Sequence, residues 1–278
     1  MKSTQFFISL GRFLLTPYSM KILFNILYYI YVIVSAPILY LTAALIFLLT
    51  YPFDKKRVVL HKFSVVWALL YFWVSPAWRI KYSGKENRRK GQRYIIVANH
   101  QSMLDIALMY KLPNVFRWVS KREVLKIPFI GWLLSLHGDV LIKRGSAASA
   151  KQMITACRKW LDKGVDIAIF PEGTRAKDGK VHDFKEGAFL LAKMAKTAIL
   201  PVVLNGSYEV LPPKGMSLKP KQTFDLHILP EISAEEVANT PVKEMTKWVH
   251  NLIASEHRNI APHLYENKAD KEELSLPI

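Results

Sequence analysis

A long apolar run near the N-terminus constrains the fold of this chain more than any other feature. Between Lys21 and Asp54 lie 32 uncharged residues, and one helix of that length extends about 48 Å at about 1.5 Å per residue. The hydrocarbon core of a bilayer is only about 30 Å thick. The run therefore predicts either a steeply tilted membrane span or a re-entrant hairpin bent near Pro37, because proline breaks or kinks a helix.

A second apolar run, residues 63–78, ends in an interfacial pattern with Trp78 and Arg79. Basic residues flank the first run on both sides, so the positive-inside rule gives no orientation. Equal flanks suit a hairpin with both ends on one side, and a plain span fits nearly as well. A cleaved signal peptide is disfavoured because the run is too long and no small-residue cleavage site follows it. Residues 1–80 are thus predicted to be membrane-associated.

The charge distribution favours a membrane surface over nucleic acid. The chain of 278 residues has 39 Lys and Arg against 22 Asp and Glu, a net charge of +17. Residues 1–100 carry 14 basic and 2 acidic side chains, whereas residues 101–278 carry 25 and 20. The basic excess therefore lies beside the most apolar segment. An anionic membrane surface explains this, because apolar segments insert while Lys and Arg contact lipid head groups. The single Cys157 excludes an internal disulfide and a multi-cysteine metal site.

From residue 81 to residue 264, short apolar strands alternate with amphipathic helices. Strands are predicted at 93–98, 139–142, 165–170, 198–204 and 224–229, and helices at 102–111, 147–163, 185–196 and 235–258. This alternation predicts an α/β domain with a mostly parallel central sheet flanked by helices, after the N-terminal hairpin or span. The polar residues 265–278 are predicted to form a frayed C-terminal tail.

Two residues suited to acid–base chemistry follow the first buried strand. His100 can act as a general base at a strand end, and Asp105 can fix its tautomer. Five residues of ideal helix place two side chains about 140° apart, so the pair meets only if the helix begins after His100, near Ser102. In the alternative interpretation, Ser102 and Asp105 form a variant capping box and His100 is an ordinary turn residue.

Two further strand ends carry charged residues. Glu172 and Arg175 lie in the glycine-containing segment Phe170-Pro-Glu-Gly-Thr-Arg175, which can bind hydroxyl and phosphate groups. Lys143 and Arg144 follow a short strand and can hold a phosphate. The alternative for Glu172 and Arg175 is a solvated turn. The alternative for Lys143 and Arg144 is a pair of ordinary surface residues. Parallel strands would bring Glu172 and Arg175 to the edge that carries the histidine.

The order and spacing of these segments resemble the glycerolipid acyltransferase family, in particular bacterial 1-acylglycerol-3-phosphate acyltransferases. The resemblance covers about 94–206 and rests on Asn99-His-x4-Asp105, Gly138 to Arg144, Phe170-Pro-Glu-Gly-Thr-Arg175, Leu200-Pro-Val-Val203, Lys121-x-Glu123 with Pro128 and Gly131, and Phe184-Lys-x-Gly-Ala188. It implies a membrane-associated helical pair ahead of an α/β catalytic domain. One departure is Ala176, where the family usually has serine. The other is Leu141-Ile-Lys-Arg144, where the family often has phenylalanine before the isoleucine and aspartate before the arginine.

The resemblance implies a role for each candidate residue. His100 would deprotonate a glycerol hydroxyl and Asp105 would orient the imidazole, without an acyl-enzyme. Glu172 would contact the glycerol part of the acceptor. The implied substrate-binding residues are Lys143, Arg144, Glu172, Gly173, Arg175 and Lys185, with Arg144, Arg175 and Lys185 at the phosphate. No metal or organic cofactor is implied.

The implied function is transfer of a fatty acyl group from acyl-CoA or acyl carrier protein to the sn-2 hydroxyl of 1-acylglycerol 3-phosphate. The product is phosphatidic acid, and the implied location is a bacterial inner membrane with the catalytic domain on the cytoplasmic side. Alternatives are another acceptor such as a lysophospholipid, lyso-ornithine lipid or glycerol 3-phosphate, a serine hydrolase using Ser102 or Ser120, and an inactive lipid-binding scaffold. The hydrolase is disfavoured because the sequence has no Gly-x-Ser-x-Gly segment.

Overall fold

The N-terminal region forms a helical hairpin. The computed structural model describes residues 17–143 and 147–266, and it begins with helix α1, Pro17–Thr50, followed by α2, Val58–Trp73. The helices run antiparallel, since Arg57 just before α2 lies over the ring of Phe47 near the end of α1. Further along, Tyr31 near the middle of α1 meets Tyr71 late in α2 with ring centroids 5.8 Å apart.

The bend predicted near Pro37 is wrong. Helix α1 continues through this proline, and the chain reverses at residues 51–57 instead. Proline removes one backbone hydrogen bond from a helix. The residues on both sides of Pro37 remain helical despite that missing hydrogen bond. Large side chains along α1, such as Ile33, Leu41 and Leu48, are 66–69% exposed. Helix α1 is long and apolar enough to cross a membrane.

A seven-stranded sheet forms the centre of the remaining chain. Its strands are β1 Trp78–Ser83, β2 Tyr94–Ala98, β3 Phe116–Lys121, β4 Val140–Ile142, β5 Asp166–Ile169, β6 Ala198–Asn205 and β7 Gln222–Ile228. They lie in the order β1-β7-β6-β2-β5-β3-β4. Strands β2 to β6 are mutually parallel, whereas β7 pairs antiparallel with β6 and parallel with β1. The predicted α/β class with a mostly parallel sheet is confirmed.

Helices cover both faces of the sheet. They are α3 Leu104–Met109, α4 Ile130–His137, α5 Ala147–Asp162, α6 Gly187–Ala195, α7 Ser207–Val210, α8 Ala234–Asn239 and α9 Val242–Ile260. Because successive strand residues point to opposite faces, Ile96 packs with α2 and α3 while Ile95 packs with α5, α6 and α9.

The hairpin shares its core with the sheet. The Phe72 ring of α2 lies 5.0 Å from the Phe224 ring of β7, and the Trp78 ring lies 5.5 Å from the same phenylalanine. Burying a side chain of this size contributes about 1.5–3 kcal/mol. The apolar helices are therefore attached to the face of the domain, and the carboxyl ends of five parallel strands open at one edge beside them.

Candidate active site

His100 and Asp105 meet in the turn that links β2 to α3. Helix α3 begins at Leu104, so His100 precedes the helix, as the spacing requires. Its Nδ1 lies 2.9 Å from Oδ2 of Asp105. The carboxylate is fully buried, and the imidazole is 12% exposed. A carboxylate accepting from Nδ1 leaves the lone pair on Nε2, which is the tautomer that a general base needs.

Four donors hold the Asp105 carboxylate in one orientation. Oδ2 accepts hydrogen bonds from the backbone N–H groups of Gln101 and Ser102 at 2.6 and 2.7 Å, besides the His100 contact. Oδ1 accepts from the hydroxyl of Ser207, which is itself fully buried. The carboxylate is therefore placed before any substrate arrives, which is how positioned groups lower a barrier.

The capping interpretation is also correct in part. Asp105 accepts from the Ser102 backbone, and the Ser102 hydroxyl accepts from the Leu104 N–H at 3.2 Å. One carboxylate thus caps the turn and orients the histidine. The Ser102 hydroxyl donates to the Leu211 carbonyl at 2.7 Å, so its proton is directed away from His100. This geometry does not support Ser102 as a nucleophile.

Two aromatic rings support the imidazole. Phe170, directly after β5, stacks on His100 with centroids 4.0 Å apart and planes inclined by 4°. Trp118 of β3 stacks on the other side of Phe170 at 5.0 Å. A stacked ring restricts the imidazole plane without removing its exposed nitrogen.

Glu172 lies behind the histidine turn. Its side chain is buried, and its two carboxylate oxygens accept from the backbone N–H groups of His100 at 2.7 Å and His182 at 3.3 Å. Burial raises the pKa of Glu172 to about 8, against the lowering effect of these two hydrogen bonds. The following Gly173 has φ +75°, a conformation that favours glycine and closes the turn.

The cations suited to phosphate binding lie along the same sheet edge. Arg175 is half-buried and Lys185 is exposed, and the Lys185 N–H donates to the Pro171 carbonyl at 3.0 Å. Lys143 is exposed at the end of β4, three strand spacings from β2, or roughly 14 Å. Arg144 falls outside the described residues.

Ala176, at the position where the family that the sequence resembles usually has serine, is buried against the turn that carries His100. Ala176 is 3% exposed, and its N–H donates to the His100 carbonyl at 2.8 Å. This backbone contact holds the loop after β5 on the turn after β2, and it does not depend on the side chain at 176.

Sequence patterns missed the contribution of Ser207. It begins α7, directly after β6, and reaches Asp105 because β6 lies beside β2 in the sheet. Asn99 helps to align these strands, since its side chain exchanges two hydrogen bonds of 2.8 Å with the backbone of Leu204. Strand order, which local sequence does not show, brings these residues together. Within the described residues, no group of three or more His, Cys, Asp or Glu side chains is arranged to hold a metal.

The fold and the histidine–aspartate pair are those of an α/β acyltransferase, and the acyltransferase family profile matches residues 79–205. The chain is 36% identical over 162 residues to the chloroplastic 1-acyl-sn-glycerol-3-phosphate acyltransferase LPAT1 of Arabidopsis thaliana, covering 58% of this chain and 45% of that protein. It is 34% identical over 169 residues to the 1-acyl-sn-glycerol-3-phosphate acyltransferase of Helicobacter pylori, covering 58% of this chain and 71% of that protein. The chain therefore belongs to the acyltransferase family, as the sequence motifs predict.

The chain spans about half the length of the plant and algal relatives that it matches, between 45% and 56%. Among solved structures, the crystal structure of the 1-acyl-sn-glycerophosphate (LPA) acyltransferase PlsC from Thermotoga maritima has a TM-score of 0.70. The match covers 87% of this chain and 96% of that chain at 23% sequence identity. This likeness confirms the fold.

Proposed function

We propose that this protein transfers a fatty acyl group from a thioester to the free hydroxyl of 1-acylglycerol 3-phosphate, which yields phosphatidic acid. The observation that carries the proposal is the His100 Nδ1 contact with Asp105 at the carboxyl edge of the sheet. The names of the Arabidopsis and Helicobacter relatives support the acceptor.

The reaction follows from the tautomer of His100. Its Nε2 accepts the hydroxyl proton while the acceptor oxygen attacks the thioester carbonyl. The tetrahedral intermediate then expels the thiolate, which takes the proton from the imidazolium. Asp105 stabilises the imidazolium between these two steps. The substrate hydroxyl is the nucleophile, so the protein forms no covalent intermediate.

Substrate contacts are assigned to the loop after β5. Arg175 precedes Ala176, whose N–H donates to the His100 carbonyl, and the Lys185 N–H donates to the Pro171 carbonyl on the same loop. The side chains of Arg175 and Lys185 carry the charge that a phosphate monoester needs. Lys143, exposed at the end of β4, extends this cationic charge along the edge. Arg144 is assigned to the phosphate from the sequence alone, because it lies outside the described residues. Gly173 allows the tight turn of the loop after β5. Glu172 contributes through the His100 backbone, and contact with the glycerol part would require it to turn out of its pocket.

The acceptor is a membrane lipid, and α1 supports membrane association. Its exposed leucine and isoleucine side chains form an apolar surface on the face of the domain. We assign the protein to a bacterial inner membrane, which the Helicobacter relative supports. In this assignment the catalytic domain lies on the cytoplasmic side. Acyl-CoA and acyl carrier protein are both anionic donors that suit a chain of charge +17.

The test is acyl transfer from a labelled thioester to lysophosphatidic acid in detergent, with wild type compared to His100→Ala. The expected result is phosphatidic acid from wild type, and a loss of at least about 10³-fold in His100→Ala. Equal transfer by both proteins would remove His100 from the mechanism. No transfer by either protein would reject this acceptor and direct the assay to lyso-ornithine lipid and glycerol 3-phosphate.

A further inference from the structure

Gln101, the residue after the catalytic histidine, has a side chain that points into the protein interior. Its backbone N–H donates to Asp105, while its side-chain amide is fully buried. The amide nitrogen Nε2 donates to the Gly179 carbonyl at 2.7 Å and also contacts Nε2 of His257. The catalytic turn is thereby connected to α9, 156 positions later in the chain.

The donors in this network fix the tautomer of His257. An amide nitrogen can only donate, so Nε2 of His257 accepts and Nδ1 carries the proton. Nδ1 lies 2.8 Å from the hydroxyl oxygen of Tyr265, which therefore accepts. Burial lowers the pKa of His257 to about 4, which agrees with a neutral ring that accepts at one nitrogen and donates at the other.

Tyr265 completes a closed connection to the loop after β5. Its hydroxyl oxygen also accepts from the Val181 N–H at 3.2 Å. The adjacent His182 N–H donates to Glu172, and Glu172 accepts from the His100 N–H. The C-terminal segment thus holds the catalytic turn through Gln101 and the loop after β5 through Val181.

A purely structural role explains this network poorly. The Gln101 side-chain oxygen is buried without a hydrogen-bond partner among the described residues, and an unsatisfied buried group costs about 1–3 kcal/mol. An apolar side chain at residue 101 would remove that cost but would leave the Gly179 carbonyl and Nε2 of His257 without this donor. This polar network costs free energy and contacts Gln101, the residue after the general base. It is therefore better explained by positioning of the His100 turn than by stabilisation of the fold.

We propose that His257 and Tyr265 are positioning residues, which hold the His100–Asp105 turn in its reactive geometry through Gln101. Both lie outside residues 79–205, the part that the family profile matches. The proposal rests on the proposed function, because its main readout is acyl transfer. A displacement of about 1 Å in a positioned group can cost up to about 10²-fold in rate.

The experiment compares four variants of the full chain in detergent. Tyr265→Phe removes only the hydroxyl, and His257→Phe removes both ring nitrogens. His257→Gln restores one acceptor and one donor. His250→Phe is the matched control, because His250 lies on the same helix and contacts Asn251 and Phe184.

We expect about a tenfold loss of kcat in His257→Phe and Tyr265→Phe, with KM for both substrates within about twofold of wild type. His257→Gln should recover most of the loss, and His250→Phe should match wild type. Rates are expressed per folded molecule, with folding measured by thermal unfolding. Wild-type kcat in folded His257→Phe, or no recovery by glutamine, would overturn the proposal.

A second measurement separates this proposal from the proposed function. Histidine ¹⁵N spectra at pH 7, assigned by the loss of one signal in His257→Gln, report the tautomer of His257 without any substrate. The network predicts a neutral ring protonated at Nδ1, with a changed signal in Tyr265→Phe. A charged ring or a proton on Nε2 would overturn the network itself. Wild-type protein that shows the predicted tautomer and transfers no acyl group would reject the proposed function alone.

Discussion

Ser207 donates its hydroxyl proton to Oδ1 of Asp105 across 102 positions of sequence. The contact exists because β6 and β2 are parallel neighbours, so the first residues after each strand lie side by side. Asp105 thus receives one side-chain hydrogen bond from His100 in its own turn and one from Ser207, which is distant in the chain. The serine fixes one carboxylate oxygen while the histidine contacts the other.

Removal of this hydroxyl should impair chemistry more than binding. In Ser207→Ala, Oδ1 of Asp105 loses a buried hydrogen bond to a charged group, which is worth about 1.5–3 kcal/mol. We expect kcat to fall about tenfold or more while KM for lysophosphatidic acid stays within about twofold. Steady-state kinetics on both substrates measure the two effects. Ser207→Thr retains the hydroxyl and is the matched control, and equal rates in Ser207→Ala and wild type would show that the contact is dispensable.

Glu172 should make stability depend on pH. Burial raises its pKa from 4.5 to about 8, so the folded protein binds a proton that the unfolded chain releases between these values. The stabilisation is complete below pH 4.5 and is lost as pH rises through about 8. We therefore expect the Tm of wild type to fall between pH 5 and pH 8.5 by several degrees more than that of Glu172→Gln.

Two other buried carboxyl groups contribute to the same pH range. Burial raises the pKa of Asp139 to about 7 and that of Asp166 to about 6. Both groups are present in wild type and in Glu172→Gln, so the difference between the two Tm curves reports on Glu172. Parallel curves across this range would contradict the assignment of a raised pKa to Glu172.

Arg175 should determine the preference for a phosphate-bearing acceptor. In Arg175→Ala we expect KM for lysophosphatidic acid to rise about tenfold or more, because a charge-assisted bidentate contact to phosphate is lost. Transfer to monoacylglycerol, which lacks the phosphate, should change by less than about twofold. Lys177→Ala is the control, since Lys177 is exposed on the same loop and, among the described residues, only its backbone carbonyl makes a hydrogen bond, with Tyr208. Parallel losses on both acceptors would indicate a structural role for Arg175.

Local sequence sets a condition for the pairing of His100 with Asp105, because residues five positions apart on one helix point about 140° apart and meet only if the helix begins after His100. The pairing itself is predicted by the family resemblance. Local sequence also predicts strands such as β2 and β5, whose buried residues form short apolar runs. It does not predict that β1 and β7 run against the other strands, since a strand pattern carries no direction. The stacking of Phe170 on His100 and the inward position of Glu172 depend on which strands are neighbours. Those features follow from tertiary packing and leave no local pattern.

The exposed side of α1 should carry membrane binding without contributing to folding. Leu41 and Leu45 are 66% and 56% exposed, so Leu41→Glu with Leu45→Glu adds two charges where little packing is lost. Inserting a carboxylate into the apolar region of a bilayer costs about 2.5–3.5 kcal/mol at its centre. We expect the double variant to lose most of its sedimentation with anionic liposomes while its Tm in detergent changes little. Leu252→Glu on α9, where Leu252 is 36% exposed, is the control for an added charge on an apolar surface. Equal liposome binding by the double variant and the control would place the membrane-binding surface elsewhere than α1.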